Sequence, residues 1–393
     1  MFKKLNKILA KPVIRLITIY QYTISPDKWL PSFWLKGRIC AHEPHCSKYS
    51  IHVLKRYGFW PGIFYATDRV LHCTPSMEKK YDPAHYSVVF FSSAPIGVPF
   101  LQHLANDKRF EVVWVVTQCD KPSGRGMEIG ENIIKQEAKK LMDANGWCIV
   151  TPTKLNPEKS EEGKEFMERL RKKKPDLLVV IAYGKIIPQA ILDIPKIAPI
   201  NVHGSILPKY RGASPIQATL LNNDKETWIT IMKMDAWMDT GNMIDILRFT
   251  LPFHWTTNEL IDEMKHIGPK FLNETLRKYG KKLLGEVPQK ENKATFCGKI
   301  EKESWLINPR TDTIETIYNK YRAFALRPKI YFMVEGKRVI IEQLKLSEPL
   351  YNSNDELPLF QEKKLNPAVL DIQLKPEGKK AMERKEFLNG YMR

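Results

Sequence analysis

Apolar residues along this chain fall into three textures. In the first, Leu5, Ile8, Leu9, Val13, Leu16, Ile17, Tyr20 and Ile24 recur at helical spacing, and Lys3, Lys4, Lys7, Lys11 and Arg15 stand apart from that stripe. This predicts a basic amphipathic helix, kinked or restarted at Pro12. From Tyr86 the second texture begins, with short apolar runs at Ser87–Phe91, Glu111–Val116, Cys148–Thr151, Asp176–Ile181, Pro199–His203 and Trp228–Asp235. Helical stretches ending near Asn106, over Glu131–Asn145 and over Leu260–Tyr279 fall between or after them. Continuous apolar strands alternating with helices predict an α/β domain with a doubly wound, mainly parallel sheet. Ligands of such sheets bind beyond the carboxyl ends of the strands. Asn201, His203 and Asp235 fall at strand ends, with Asp239 just beyond one. After a linker at Pro288–Lys293 the third texture is short strands and turns, including a hairpin within Tyr331–Ile341 with period-2 flanks. The expected divisions are 1–83, 85–287 and 288–393.

Charge adds a second asymmetry. The 393 residues carry a formal +18, a surplus that favours a polyanionic partner, either nucleic acid or an acidic membrane face. Residues 1–83 hold 14 Lys+Arg and 5 Asp+Glu, a net of +9 and half the total in about a fifth of the chain. The longest apolar run there, Val13–Ile24, contains Arg15; it falls short of the ~20 residues a bilayer span requires. No small-residue cleavage site follows the early lysines. The expectation is a cytoplasmic protein with attachment to a membrane surface through its first helix, against the plainer reading of a helix packed on its own domain.

Six cysteines at 40, 46, 73, 119, 148 and 297 are too scattered for a disulfide scaffold. Cys40, His42, His45 and Cys46, followed by His72 and Cys73, invite a zinc reading. The Cys-x5-Cys spacing is wider than a zinc knuckle, so buried structural cysteines and no metal are expected. The order Ile24-Ser25-Pro26, Cys40…Pro44-x-Cys46-Ser47-x-Tyr49, Tyr57-Gly58…Gly62 and Arg69…Cys73-x-Pro75…Tyr81-Asp82-Pro83 resembles the membrane protein insertion efficiency factor family. That resemblance implies, for residues 1–83, a place on the cytoplasmic membrane face, an anionic lipid surface and the membrane insertase as partners. It departs at Ser76–Lys80, where the family carries Gly-Gly.

The candidate chemistry lies further on. Acyl transfer to an amine needs a donor for the tetrahedral oxyanion, and groups to take a proton from the amine and give one to the departing nitrogen. Asn201 and His203 on one strand, with Asp239 in a later loop, supply an amide, an imidazole and a carboxylate. Asn201-Val-His203-Gly-Ser205-Ile206-Leu207-Pro208-x-Tyr210-Arg211-Gly212-Ala-x-Pro215-Ile-Gln217 resembles the central motif of the 10-formyltetrahydrofolate-dependent transferases, which have a Rossmann-like sheet, and Met234-Asp235-x-x-Met238-Asp239-Thr240-Gly241 resembles their second motif. The resemblance implies that Asn201 and His203 polarise the formyl group and that Asp239 sets the His203 charge and shuttles protons. It implies a folate pocket at Ala182, Tyr183, Gly184, Ile187, Ser205, Ile206, Leu207, Pro208 and Asp235, with 10-formyltetrahydrofolate as co-substrate.

Two features direct the expected acceptor toward initiator methionyl-tRNA. The loop Thr117–Gly126, with Lys121 and Arg125, is similar to the acceptor-stem loop of methionyl-tRNA formyltransferases. The C-terminal third is similar to their OB-like barrel, which implies tRNA contacts at Arg322, Lys337, Arg338 and Lys379. An amino-sugar acceptor remains the alternative enzyme reading. Trp228, Trp237 and Trp305 stand where the family pattern has glycine, as reading UGA as tryptophan in a glycine-decoding lineage would produce. An indole at 237, two residues from Asp239, is expected to crowd the site, and a transferase silenced there would leave the membrane unit as the working part.

Overall fold

A computed structural model describes residues 2–23, 42–73, 80–123, 128–142, 148–325, 329–347, 357–361 and 364–391. In the first unit α1 (Phe2–Thr23) runs unbroken through Pro12. β1 (His42–Glu43) leads into α2 (Cys46–Tyr57) and α3 (Phe59–Leu71), and β2 (Lys80–Tyr81) returns to pair in parallel with β1. Gly58, at φ +85, makes the corner between α2 and α3. Arg69 closes the unit from inside. It is buried, stacks 4.0 Å over the Tyr49 ring, donates to the Pro44 carbonyl at 2.7 Å and pairs with Asp82.

The unit packs on the domain that follows. Arg56 Nη2 donates to the Phe110 carbonyl at 2.5 Å, and the Tyr81 hydroxyl bonds Asp176. Outside that contact, α1 and α3 present Leu16, Tyr22, Trp60, Phe64 and Leu71 to solvent. Among the described residues no helix is long and apolar enough to cross a membrane.

The central domain runs β3 (Tyr86–Ser92), α4 (Gly97–Asn106), β4 (Phe110–Val116), the hairpin β5 (Lys121–Ser123) and β6 (Glu128–Gly130), α5 (Ile133–Met142), β7 (Cys148–Val150), α6 (Glu161–Lys173), β8 (Leu177–Ile181), α7 (Gln189–Leu192), β9 (Ala198–His203), β10 (Arg211–Gly212), α8 (Pro215–Leu221), β11 (Glu226–Lys233), β12 (Met243–Thr250) and α9 (Thr257–Gly280). Seven strands form one sheet in the order β12-β11-β9-β8-β3-β4-β7. Contacts from β9 to β7 are parallel; β11 is antiparallel to both neighbours. The expected mainly parallel, doubly wound sheet is therefore present, and β12 adds an edge the sequence reading lacked. Its alternation of half-buried and exposed residues carries a weaker apolar signal than the central strands.

Side-chain alternation on β3 builds both layers. Val88 and Phe90 join Phe100, Leu101 and Leu272 on one face, and Val89 and Phe91 join Trp114, Phe166 and Leu170 on the other. The helix α9 starts with a capping box, Thr256 with Glu259, which satisfies two otherwise unpaired amides.

The chain then passes β13 (Phe296–Cys297), which pairs in parallel with β10. It continues through α10 (Ile314–Ala323), β14 (Tyr331–Val334), β15 (Lys337–Leu346), β16 (Phe360–Gln361), β17 (Lys364–Leu365), β18 (Val369–Pro376), β19 (Met382–Glu383) and α11 (Arg384–Tyr391). Here β14-β15-β18-β19 form a four-stranded antiparallel sheet. Its core is continuous with the central domain: Ile229, Leu260 and Met264 share one cluster with Ile317, Phe332 and Phe387.

Arg322 corrects one expectation. It is 1% exposed, and its guanidinium donates to the Phe253 carbonyl at 2.9 Å, Asn223 Oδ1 at 2.9 Å and Asn319 Oδ1 at 2.7 Å. A guanidinium enclosed in this seam between domains, its unpartnered Nε included, is out of reach of RNA. Lys337, Arg338 and Lys379, by contrast, stand exposed on the β14–β15 turn and the turn after β18.

Candidate active site

β9 and β11 are antiparallel neighbours, with Met232 opposite Asn201 and Thr230 opposite His203, so β11 ends beside Asn201 and the loop that follows it returns Asp239 to that pair. Asn201 Nδ2 donates to Asp239 Oδ1 at 3.2 Å. His203 Nδ1 lies 3.6 Å from Asp239 Oδ2, and His203 is 5% exposed. His203 Nε2 sits 3.0 Å from the Tyr210 carbonyl. A carbonyl only accepts, so Nε2 carries the proton and Nδ1 is the nitrogen that gains or loses one facing Asp239. The three groups expected to act together are together.

The carboxylate is held on all sides. Its Oδ2 accepts from the Gly212 amide at 2.9 Å. Asp239 itself adopts φ +56, a left-handed conformation that a short polar side chain tolerates. Gly241 and Gly212 allow the close approaches: a Cβ would fall 1.8 Å from the Lys233 carbonyl oxygen at the first and 2.1 Å from the Cys297 carbonyl oxygen at the second.

Sequence reasoning missed the residue that ties these loops together. Gln289, in the linker, is 9% exposed; its Nε2 donates to the Asp239 carbonyl at 2.8 Å and the Gly241 carbonyl at 2.7 Å, and its Oε1 accepts from Arg211 Nε at 3.0 Å. Arg211 is buried and forms a two-pronged pair with Glu291 at 2.7 and 2.9 Å. No local pattern around position 289 signals this; the pairing of β10 with β13 and the bridge between Met243 and Val287 bring it near.

Trp237 also differs from expectation. It is 78% exposed, with the indole outside the Asp239 turn, and its amide donates to Asp235 Oδ1 at 3.2 Å. Trp228 lies on β11 with the Arg248 guanidinium carbon 6.0 Å from its ring, and Trp305 packs against the C-terminal core. None of the three has the positive φ that demands glycine.

A cavity of about 450 Å³ opens beyond the carboxyl ends of β3, β4 and β8, and β8 pairs with β9 so that Val180 lies opposite Asn201. Ala182, Tyr183 and Gly184 line it, joined by Ser93, Gln118 and Asn132, which the sequence reading did not single out. Gln118 Nε2 donates to the Tyr183 carbonyl at 2.7 Å, and Asn132 Nδ2 to the Ser93 carbonyl at 3.1 Å. Its size and its few fixed polar groups suit a heteroaromatic ligand. Burial pushes the Tyr183 phenol above its ordinary range, so it stays neutral.

Other expected folate contacts fall elsewhere. Ile187 is 5% exposed in the core behind the sheet. Ser205 is fully buried and gives its hydroxyl to the Lys209 carbonyl at 2.8 Å. Leu207 is buried too, while Ile206 and Pro208 are half-buried in the loop after His203. Asp235 Oδ1 holds its own loop by accepting from Thr240 Oγ1 at 2.6 Å. Lys121 begins the β5 hairpin strand, and Arg125 and Cys40 lie outside the described residues. His72 is exposed after α3, whereas His42, Cys46 and Cys73 converge, their ligating atoms all within 4.8 Å of one another.

Family models match residues 87–276 (formyl transferase), residues 299–392 (formyl transferase, C-terminal domain) and residues 9–85 (membrane protein insertion efficiency factor). A methionyl-tRNA formyltransferase of Lactobacillus gasseri is 36% identical over 77% of this chain and 95% of its own length. One from Dictyoglomus turgidum is 34% identical over 77% and 96%. Among solved structures, the sugar 3N-formyl transferase WlaRD superposes with a TM-score of 0.51 at 18% identity, covering 75% of this chain and 99% of that one; this likeness speaks for the fold alone. With relatives this similar matched nearly end to end, the chain belongs to the methionyl-tRNA formyltransferase family.

Proposed function

We propose that this chain transfers a formyl group from 10-formyltetrahydrofolate to the amino group of initiator methionyl-tRNA. The observation that carries the reading is the Asn201–His203–Asp239 cluster, whose strand β9 pairs with β8, the strand leading into the 450 Å³ cavity at the carboxyl edge of the sheet. The folate supplies an activated formyl group. Asn201 Nδ2 donates to the formyl oxygen as negative charge develops there. His203 Nδ1 takes a proton from the attacking amine, and Asp239 stabilises the imidazolium that results. The new amide C–N bond forms, the bond to the folate nitrogen breaks, and the proton removed from the amine is returned to that nitrogen.

The basic groups Lys337, Arg338 and Lys379, with Lys121 of β5 and Arg125, are proposed to meet tRNA phosphates. Turnover with methionyl-tRNA and 10-formyltetrahydrofolate tests the reading. Asn201→Ala and Asp239→Ala are each expected to cost about 3–4 kcal/mol of barrier, roughly a 10²–10³-fold loss of kcat. Formylation of an amino sugar nucleotide but not of methionyl-tRNA would reverse the acceptor.

For residues 1–83 we propose peripheral attachment to the cytoplasmic face of a membrane, next to the insertase. Exposed Leu16, Trp60, Phe64 and Leu71 on two adjacent helices, in a unit with a net +9, favour this. Co-sedimentation with anionic vesicles, weakened by Phe64→Glu, is the expected result; equal binding to neutral vesicles would argue against the charge contribution.

A further inference from the structure

We propose that His42, Cys46 and Cys73 form a zinc site that fastens the N-terminal unit. The ligating atoms of these three side chains lie within 4.8 Å of one another. Zn–S and Zn–N bonds of about 2.3 and 2.0 Å place tetrahedral ligands about 3.5–3.8 Å apart, a small contraction from this arrangement. Two thiolates and an imidazole are the donor set that zinc favours over harder cations.

The three residues come from three different elements. His42 begins β1 and is 8% exposed, Cys46 is the first residue of α2, and Cys73 follows the end of α3. The intervening backbone is already fixed, since Arg69 from α3 donates to the Pro44 carbonyl between His42 and Cys46. A Cys46–Cys73 disulfide would account for the sulfurs but not for an imidazole brought to the same point.

The unit also needs such a fastening. Among its described residues the buried apolar side chains are Ala10, Val53, Leu54 and Ala66, while its largest apolar groups face outward. A unit this small, with so thin a core, gains most from a cross-link among its elements. Zinc binding releases the two thiol protons to solvent, so its affinity falls as pH is lowered.

The test uses the full chain, expressed with zinc and purified under reductant without chelator, with metal measured by plasma mass spectrometry. About one zinc per chain is expected. Cys46→Ser, Cys73→Ser and His42→Ala should each lose most of it, and Cys148→Ser should retain it. Because a ligand variant can unfold the unit, cobalt(II) is also exchanged into the unaltered chain. Thiolate-to-cobalt charge-transfer bands and intense four-coordinate d–d bands are expected there. Formyl transfer by His42→Ala should stay within about twofold of the parent. Absence of zinc and of thiolate–cobalt bands in the unaltered chain overturns the proposal, as does zinc retained in both cysteine variants.

Discussion

Gln289 donates to the main-chain carbonyl of Asp239 at 2.8 Å across a separation of 50 residues. The same amide bonds the Gly241 carbonyl, and its oxygen receives Arg211. One linker side chain thus fixes both the loop that carries the carboxylate and the strand whose Gly212 amide holds that carboxylate in place. Gln289 is a positioning residue, since it touches neither His203 nor Asn201.

Gln289→Ala leaves two carbonyls and a guanidinium nitrogen without their partner, a loss of about 1–3 kcal/mol in a buried setting. The Asp239 turn should loosen, with kcat falling about 10- to 100-fold and folate KM changing less. Gln289→Glu should do no better, because a carboxylate repels both carbonyls while keeping only the Arg211 contact. Steady-state kinetics of the two variants decide this. Unchanged kcat in both would show that the turn holds without the linker.

The sheet was legible because β3, β4, β8 and β9 are buried on both faces, and burial on both faces writes continuous apolar runs. Asn201, His203 and Asp239 were legible through two local motifs that end strands. What stayed hidden depends on long-range pairing. Gln289 sits in a polar linker, and β12, half exposed, reads as amphipathic rather than as a core strand. Arg322 misled for the same reason: a buried arginine and an RNA-binding arginine look alike until the carbonyls around it are placed. The His42, Cys46 and Cys73 convergence needed the fold as well, since the sequence separates Cys73 from its partners by a helical hairpin.

Trp237 should be tolerated. Its indole is 78% exposed and its backbone needs no glycine, so Trp237→Gly should change kcat less than about threefold and stability by under about 1 kcal/mol. A tenfold gain in rate on this substitution would instead mean that the indole obstructs the bound acceptor.

Arg322 and Arg338 should separate cleanly. Arg322→Ala strips a buried cation from three acceptors and should cost about 3 kcal/mol or more, seen as a lower thermal midpoint. The salt dependence of tRNA binding should keep its slope in the protein that remains folded. Arg338→Ala, on an exposed turn, should leave the midpoint within about 0.5 kcal/mol of the parent and reduce the slope of log K against log salt by roughly one. A reduced slope in Arg322→Ala would restore that residue to the RNA surface.

The contact between the N-terminal unit and the transferase should weaken in mild acid. Burial lowers the His52 value below the ordinary 6.5, and the neighbouring His85 and the ammonium groups of Lys48 and Lys55 act in the same direction, with Glu111 opposing. The His52 and His85 rings lie 6.0 Å apart across the junction. Folded and docked, His52 binds its proton less readily than in the unfolded chain. Between its lowered value and about 6.5 the unfolded state therefore holds more protons, and stability rises with pH. Stability is complete above that window and is lost as pH falls through it. Limited proteolysis between Tyr81 and Tyr86 should accordingly quicken from pH 7.5 to 5.5. His52→Gln, which cannot titrate, should flatten that dependence, and an unaltered pH profile in the variant would assign the acid sensitivity to another group.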